Sequence, residues 1–365
     1  MPDRLAAEVT ELVGDQADHW DRSGLIPHEL LREMSGRGLL CAQVPEEYGG
    51  LGLDSARGGE FTAHVGGLCS SLRSVMTSQG MAAWAIQRLG DAEQRTGLLD
   101  GLVQGRLAAV GFSEADAGSD ISSMRTTVRR DGDHVVVNGA KTWITAALYA
   151  DDLVIFGRYE DGGAVVVIPA DTPGVTIERV PDPLGCRAAG HSHIRLDDVR
   201  VPAQRVLGGA GMPLPLLITL VLAYGRMSVA WGCVGILRAC LAAAGAHARS
   251  RRQFGKPLGE HQLVGRHLAQ LLVSEQVATR ACEHASALWD ANASDAVTAT
   301  VLAKHVSATQ AAQGAASAVQ VLASAGADNS CLVARAYRDA KLMEIIEGSN
   351  ELCQVMLAEH VLSRS

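Results

Sequence analysis

Aromatic side chains make up only 4% of the 365 residues, so the interior has to be built mainly from Ala, Leu and Val. Basic residues are not in excess: 32 Lys and Arg against 40 Asp and Glu leave a net charge of -8, which argues against an electrostatic footprint for nucleic acid. None of the 8 cysteines belongs to a CxxC pair, which suits reduced thiols in a cytoplasmic protein and neither a disulfide framework nor a zinc site. There is no GxxxxGK[ST] loop, no GxGxxG opening a helix after a strand, and no GxSxG elbow. P-loop, Rossmann and serine-hydrolase chemistries are disfavoured accordingly. His191 and His193 lack an acidic or cysteine cluster around them, so no metal site is expected. The opening stretch MPDRLAAEVTELVGD has no apolar signal-peptide centre. The most apolar run, LPLLITLVLAYG at 214–225, is too short to span a bilayer and reads as a buried helix. The expectation is a soluble protein with no membrane partner.

What is present is a large core, with 47% hydrophobic and 20% charged residues, in a chain long enough for two or three packed units. Its pattern changes twice. Residues 1–110 carry apolar side chains at helical spacing, interrupted by the Gly-rich VPEEYGGLGLD. Residues 111–213 hold short Val/Ile-rich runs between Gly, Asp and Pro turns, the signature of strands. Residues 214–365 are helical again and rich in Ala and Leu. The prediction is an α+β protein with a β domain set between two helical domains. Long Ala-rich helices make an oligomer plausible.

Four stretches carry candidate chemistry. GFSEADAGSD (111–120) is either a polar turn or a backbone cradle for an anion or the edge of a planar ring. NGAKTWIT (138–145) places Trp143 and Thr145 on one side of a strand. That pair is either a core Trp with an exposed Thr or a slab and hydroxyl suited to a flavin-like ring. RSRRQFGKPLGEHQ (249–262) is either a basic inter-helix loop or a phosphate contact beside an apolar clamp. KLMEIIEGSNE (341–351) spaces Glu344, Glu347 and Glu351 along one side of a helix, an ordinary acidic stripe unless one carboxylate takes a proton.

In this order, together with VPEEYGGLGL and DDVRVP, these stretches resemble the acyl-CoA dehydrogenase family over nearly the whole chain. The resemblance implies a helical N-terminal domain, a central β-barrel-like domain and a C-terminal four-helix bundle. It implies FAD held between the latter two and a homodimer or homotetramer. Phe112 and Ser113 would meet the flavin ring edge, and Trp143 and Thr145 would flank it. Gly118 and Ser119 would serve the FAD phosphate, with Ser119 also at the substrate's carrier arm. Arg251, Phe254 and Gln320 match positions that reach the FAD of a neighbouring subunit. Ser349 and Glu351 match the adenosine end, Arg226 a substrate-proximal arginine, and Glu347 the catalytic base.

By that resemblance Glu347 takes the thioester α-proton while hydride leaves the β-carbon for flavin N5. Gly348 is expected to end the helix, leaving Glu347 at a C-terminus where the dipole disfavours an anion. Some relatives carry their base just before the arginine corresponding to Arg226; this chain has Gly225 there, which leaves Glu347 without a competitor. Two departures bear on substrate. The entry to the C-terminal domain reads GGAGMPLPLL, and Phe112 stands where an aliphatic residue is usual. The chain is similar to the family branch that serves methoxymalonyl extender units of ascomycin-type polyketides. That branch implies a three-carbon oxygenated acyl group on an acyl carrier protein, 2-hydroxy-3-oxopropionyl going to hydroxymalonyl. An electron acceptor, electron-transfer flavoprotein or oxygen, would complete turnover. Rival readings are an ordinary short-chain acyl-CoA dehydrogenase, a flavin oxidase or monooxygenase, and a non-catalytic scaffold.

Overall fold

The computed structural model describes residues 2–363. Six helices come first: α1 (Pro2–Val13), α2 (Ala17–Ser23), α3 (His28–Gly36), α4 (Ser55–Leu68), α5 (Ser70–Leu89) and α6 (Ala92–Val103). Their starts are written locally. Asp54 caps α4 by accepting from Arg57 N–H at 2.7 Å, and Asp91 with Gln94 forms a capping box at α6. α5 is buried on all sides except at Trp84, Gln87 and Arg88, which makes it the central helix of this part.

Seven strands follow: β1 (Ala108–Gly111), β2 (Thr127–Asp131), β3 (His134–Ile144), β4 (Asp152–Tyr159), β5 (Gly162–Pro169), β6 (Val175–Arg179) and β7 (Ser192–Pro202). β2, β3, β7 and β6 form an antiparallel ladder, while β4 takes β5 on one edge and β1, in parallel, on the other. The two halves are joined in the ladder through Thr127 and Arg158, and the sheet curls around its Val/Ile core. The first strand opens at Ala108, slightly ahead of residue 111.

The last part comprises α7 (Leu214–Ser250), a short hairpin of β8 (Arg252–Gln253) and β9 (Lys256–Pro257), then α8 (Gln262–Asp290), α9 (Ala296–Leu322), α10 (Leu332–Met343) and α11 (Asn350–Ser363). α10 and α11 together complete the bundle that α7, α8 and α9 begin. The apolar run at 214–225 is only the first third of α7, and the full helix is long and apolar enough to cross a bilayer by length and composition. Its most apolar window is instead 61% buried, covered by α4, α5, α8 and α9. α4 and α7 touch backbone to backbone. A β-carbon on Gly66 would lie 2.8 Å from Gly232 O, and one on Gly235 would overlap the Ala63 carbonyl. Glycine is required there by close approach. All eight cysteines are free, and seven are buried.

Candidate active site

A cleft of about 640 Å³ opens where α5, the 110–124 loop, the end of β3, α7 and the α10–α11 connection converge. Glu347 lies in that connection. α10 ends at Met343, and Glu347 (φ 55°) and Gly348 (φ 90°) then turn the chain through left-handed backbone into α11. The three glutamates therefore do not share a helix, and Glu347 lies past the C-terminal end of α10, in the turn, and not in the helix itself. Glu344 caps α10 and pairs outside with Lys341 at 2.9 Å. Glu351 is exposed in the first turn of α11, held below the usual carboxylate range by its own N–H and the Ser349 hydroxyl, and does not reach the cleft.

The turn is held by buried cations. Lys304 of α9 donates to Gly348 O at 2.7 Å and to Glu344 O at 3.4 Å, and Arg226 Nε donates to Glu347 O at 3.1 Å. The Glu347 side chain is thus aimed by its main chain. Its Oε2 is buried without a partner, against Gly225 and beside Met81. Burial pushes its pKa up to about 7, against the opposing pull of Arg226, Lys304 and Arg73. Ile345, one of its apolar neighbours in sequence, is 54% exposed, so the desolvation comes from α5 and α7.

Phe112, Ser113, Gly118 and Ser119 all line the cleft. Their loop is tied down by Glu114, whose carboxylate accepts from Arg125 N at 2.6 Å, Thr126 N at 3.0 Å and Lys141 Nζ at 2.8 Å. Burial opposes the Glu114 charge, but these donors hold its pKa below the usual range. Ser113 is pinned to β3, its Oγ donating to Thr142 O at 2.7 Å. Phe112 packs on Phe156 with ring centroids 4.5 Å apart.

Trp143 and Thr145 also line the cleft, but not by strand alternation. The β3–β7 register shifts between Lys141 and Ile144, Trp143 adopts φ 57°, and Thr145 falls beyond the strand. This bulge re-aims the indole, leaving it 52% exposed at the cleft wall. Thr145 Oγ1 lies 3.2 Å from His191 Nδ1. His191, which the sequence singles out only as a metal candidate, lines this cleft. It is buried, its Nε2 has no partner, and burial together with Arg73 pushes its pKa down to about 4, so the ring is neutral at physiological pH. No cluster of three metal-ligating side chains occurs among the described residues.

Arg226 is buried, lines the cleft and keeps NH1 without a partner. Ser349 reaches the cleft as well. Arg251, Phe254 and Gln320 do not: all three are exposed on the C-terminal part, Phe254 at 94% on the tip of the β8–β9 hairpin. Arg73, Thr77 and Met81 of α5 complete the inner wall. The signal for Arg73 was available, as it is the one charged residue in SSLRSVMTSQGMAAWAIQ.

Partnerless buried atoms of Arg73, His191, Arg226 and Glu347 all belong to residues of this one cleft, beside a half-exposed indole and apolar walls. Unused donors and acceptors around a planar aromatic face fit a bound flavin and a polar acyl group. Buried carboxylate, exposed indole and three-part architecture are what the resemblance to flavin-dependent acyl-thioester dehydrogenases implies.

The chain belongs to the acyl-CoA dehydrogenase family, matching its N-terminal domain over residues 3–106, its middle domain over 109–199 and its C-terminal domain over 215–362. FAD is accordingly its cofactor. It is similar to a probable acyl-CoA dehydrogenase of Bacillus subtilis, YngJ, at 33% identity, covering 96% of this chain and 94% of that one. Among solved structures it resembles FkbI, described as acting in biosynthesis of the methoxymalonyl extender unit of the Fk520 polyketide, at 64% identity, TM-score 0.95 and 99% coverage of both chains. It also resembles a Mycobacterium smegmatis glutaryl-CoA dehydrogenase in complex with FADH2, at 26% identity, TM-score 0.93 and coverage of 100% and 95%.

Proposed function

We propose that Glu347 is the base of an FAD-dependent dehydrogenase acting on a small oxygenated three-carbon acyl group carried by an acyl carrier protein, 2-hydroxy-3-oxopropionyl going to hydroxymalonyl. The observation that carries this reading is the Glu347 carboxylate, aimed into the cleft with a free Oε2 and a pKa near 7. The branch is supported by the 64% identity to FkbI over the full length; on this reading the enzyme works in polyketide and antibiotic biosynthesis in the cytoplasm. FAD, when bound, accepts the hydride that leaves the β-carbon.

The balance for this substrate takes up one water. The hydrated aldehyde loses hydride from C3 and a hydroxyl proton to Glu347, leaving a carboxylic acid at C3. An ordinary acyl group would instead give the same carboxylate its α-proton. Either way the chain must hold the base ionised and dry beside the reacting carbon. Arg226 and Lys304 do this by fixing the 347–348 turn from behind. Phe112, Ser113, Gly118, Ser119, Trp143, Thr145 and Ser349 supply the FAD cleft, with Ser119 also serving the carrier arm.

Arg251, Phe254 and Gln320 lie outside the cleft, which leaves them for a neighbouring subunit's FAD in a homodimer or homotetramer, while exposed Glu351 is left for the adenosine end of the cofactor. Exposed Leu263, Leu272, Val273 and Val277 on α8 support such packing. An electron-transfer flavoprotein or oxygen reoxidises the flavin.

The test is anaerobic mixing of the holoenzyme with the 2-hydroxy-3-oxopropionyl carrier-protein thioester and, separately, butyryl-CoA. Flavin bleaching by the first and not the second is the expected result. Bleaching by butyryl-CoA alone would make the protein an ordinary short-chain dehydrogenase.

A further inference from the structure

The two histidines of GHSH close on the Trp143 bulge from the start of β7. His191 Nδ1 lies 3.2 Å from Thr145 Oγ1 and His193 Nδ1 2.7 Å from Thr142 Oγ1, with ring centroids 6.1 and 6.5 Å from the indole. Of the two, only His191 lines the cleft. The backbone around Thr145 is held from α5 and from the 189–190 segment. Thr145 O accepts from the Ser78 hydroxyl at 3.1 Å, while Ala146 N and Leu148 N donate to Ala189 O and Gly190 O at 2.9 and 3.2 Å. What remains free to turn is the Thr145 hydroxyl. Its one hydrogen-bond partner among the described residues is His191.

His191 is itself built into place. Gly190 turns the chain at φ 66° across the Tyr149 ring, where a β-carbon would lie 2.5 Å from the ring edge. The His191 carbonyl then accepts from Val180 N–H at 2.8 Å. The side chain is 8% exposed, and its Nε2 is buried with no partner. A neutral imidazole has one N–H and one lone pair to divide between its two nitrogens. A buried N–H without an acceptor is a rarer orphan than a buried acceptor without a donor. The proton therefore belongs on Nδ1, where it donates to Thr145 Oγ1, and the hydroxyl keeps its own proton to give.

We propose that His191 is a positioning residue for the cofactor: its Nδ1–H fixes the Thr145 hydroxyl so that the hydroxyl proton is presented to the flavin ring edge. This rests on the cleft being the FAD site, with Thr145 beside the ring as proposed above, and adds what orients that hydroxyl. A flavin gathers electron density on reduction, so a fixed donor at its edge holds the reduced form more tightly than the oxidised one. A hydroxyl left to rotate loses part of that preference to its own disorder. Through Thr145, His191 raises the reduction potential of the bound cofactor.

The test is the reduction potential of the flavin in the FAD-loaded enzyme, measured by equilibration with a reference dye and without substrate. His191→Phe keeps the ring volume and removes both nitrogens. It should weaken the preference for reduced over oxidised FAD about 10-fold, a shift of about 30 mV for two electrons. His191→Asn, whose amide stands where Nδ1 stands, should restore most of it. His191→Gln, whose amide reaches to the Nε2 position, should not. Thr145→Val should give the same shift, and adding His191→Phe to it should add nothing. His193→Phe should leave the potential where it is.

An unchanged potential in His191→Phe would overturn the proposal. So would additive shifts in the double variant, because His191 would then act by a route other than Thr145. An equal shift from His193→Phe would reduce both histidines to packing about the indole and overturn it as well. The asparagine and glutamine variants decide the matter even if the phenylalanine variant does not fold, since equal potentials in the two sink the proposal. If Thr145→Val leaves the potential unaltered, the placing of Thr145 at the flavin fails and this inference with it. A shift in Thr145→Val with none in His191→Phe sinks this inference alone.

Discussion

The Glu347 carboxylate lies across the bare Cα of Gly225. A β-carbon at that position of α7 would overlap Oε2 and come within 2.8 Å of both Glu347 Cδ and Met81 Sδ. Gly225 is thus the floor on which the Glu347 carboxylate rests. Gly225→Ala should fold and bind FAD, because α7 is helical there, but it should push the carboxylate off its line. Misplacement by about an ångström costs on the order of 100-fold in rate. Single-turnover flavin bleaching on the true substrate measures it. An alanine enzyme at the wild-type rate would mean that Glu347 is not held against α7 during reaction.

Replacing the proposed base separates chemistry from binding. Glu347→Gln is expected to lower the reductive rate by about 10²- to 10⁴-fold with flavin content unchanged. In the wild type the rate should rise with pH through about 7, as the buried carboxylate ionises. Stability should run the other way. The folded-state pKa lies above the unfolded value, so the folded chain holds this proton more tightly. The resulting stabilisation is full below the unfolded value near 4.5 and lost as pH rises through 7. Thermal denaturation of the wild type and Glu347→Gln between pH 5 and 8 should diverge in slope by this one group.

Lys304 acts through the main chain. With no solvent exposure, it supplies donors to the carbonyls of Glu344 and Gly348 and to Asn350 Oδ1 at 3.3 Å. Lys304→Met keeps the bulk and removes the donors. It is expected to cost about 2–4 kcal/mol in urea unfolding, and to slow bleaching by loosening the turn that aims Glu347. A variant as stable as the wild type would show that the turn is self-supporting.

Trp143 contributes little to the fold and, on the proposed reading, much to the cofactor. Because its indole is 52% exposed, Trp143→Ala should leave the melting temperature of the apoprotein nearly unchanged. Loss of the aromatic face should weaken FAD binding about 10-fold, read by ultrafiltration of the holoenzyme. An apoprotein destabilised by several degrees would make Trp143 a core residue instead.

Periodicity was enough for the architecture, because a period near 3.6 giving way to 2 and back again reports which faces are buried. It was misleading wherever left-handed backbone intervened. Glu344, Glu347 and Glu351 look like one stripe to a count that assumes continuous helix, yet α10 stops at Met343 and Glu347 itself carries φ 55°. Gly348 marked the break to within a few residues. Trp143 and Thr145 were placed at the cleft for a reason that the bulge removes: the pair arrives there because alternation fails. Arg73 and Lys304 escaped notice because burial of a cation is decided by distant helices. Of these two only Arg73, alone in a run of small and apolar residues, left a trace in its own segment. His191 was weighed as a metal ligand, and its partner turned out to be a threonine hydroxyl.

The glycine contacts between α4 and α7 have a mechanical consequence. Where Gly66 meets Gly232 and Gly67 meets Gly235, there are no side chains to slide or re-pack, so the two helices have no shear plane between them. The N-terminal helices and the C-terminal bundle are welded along this seam, although the β domain separates them in sequence. Hinge-like opening of the helical halves would tear backbone from backbone, so these two parts move as one. Denaturant should melt residues 1–110 and 214–365 in one transition, with the curled sheet free to follow its own.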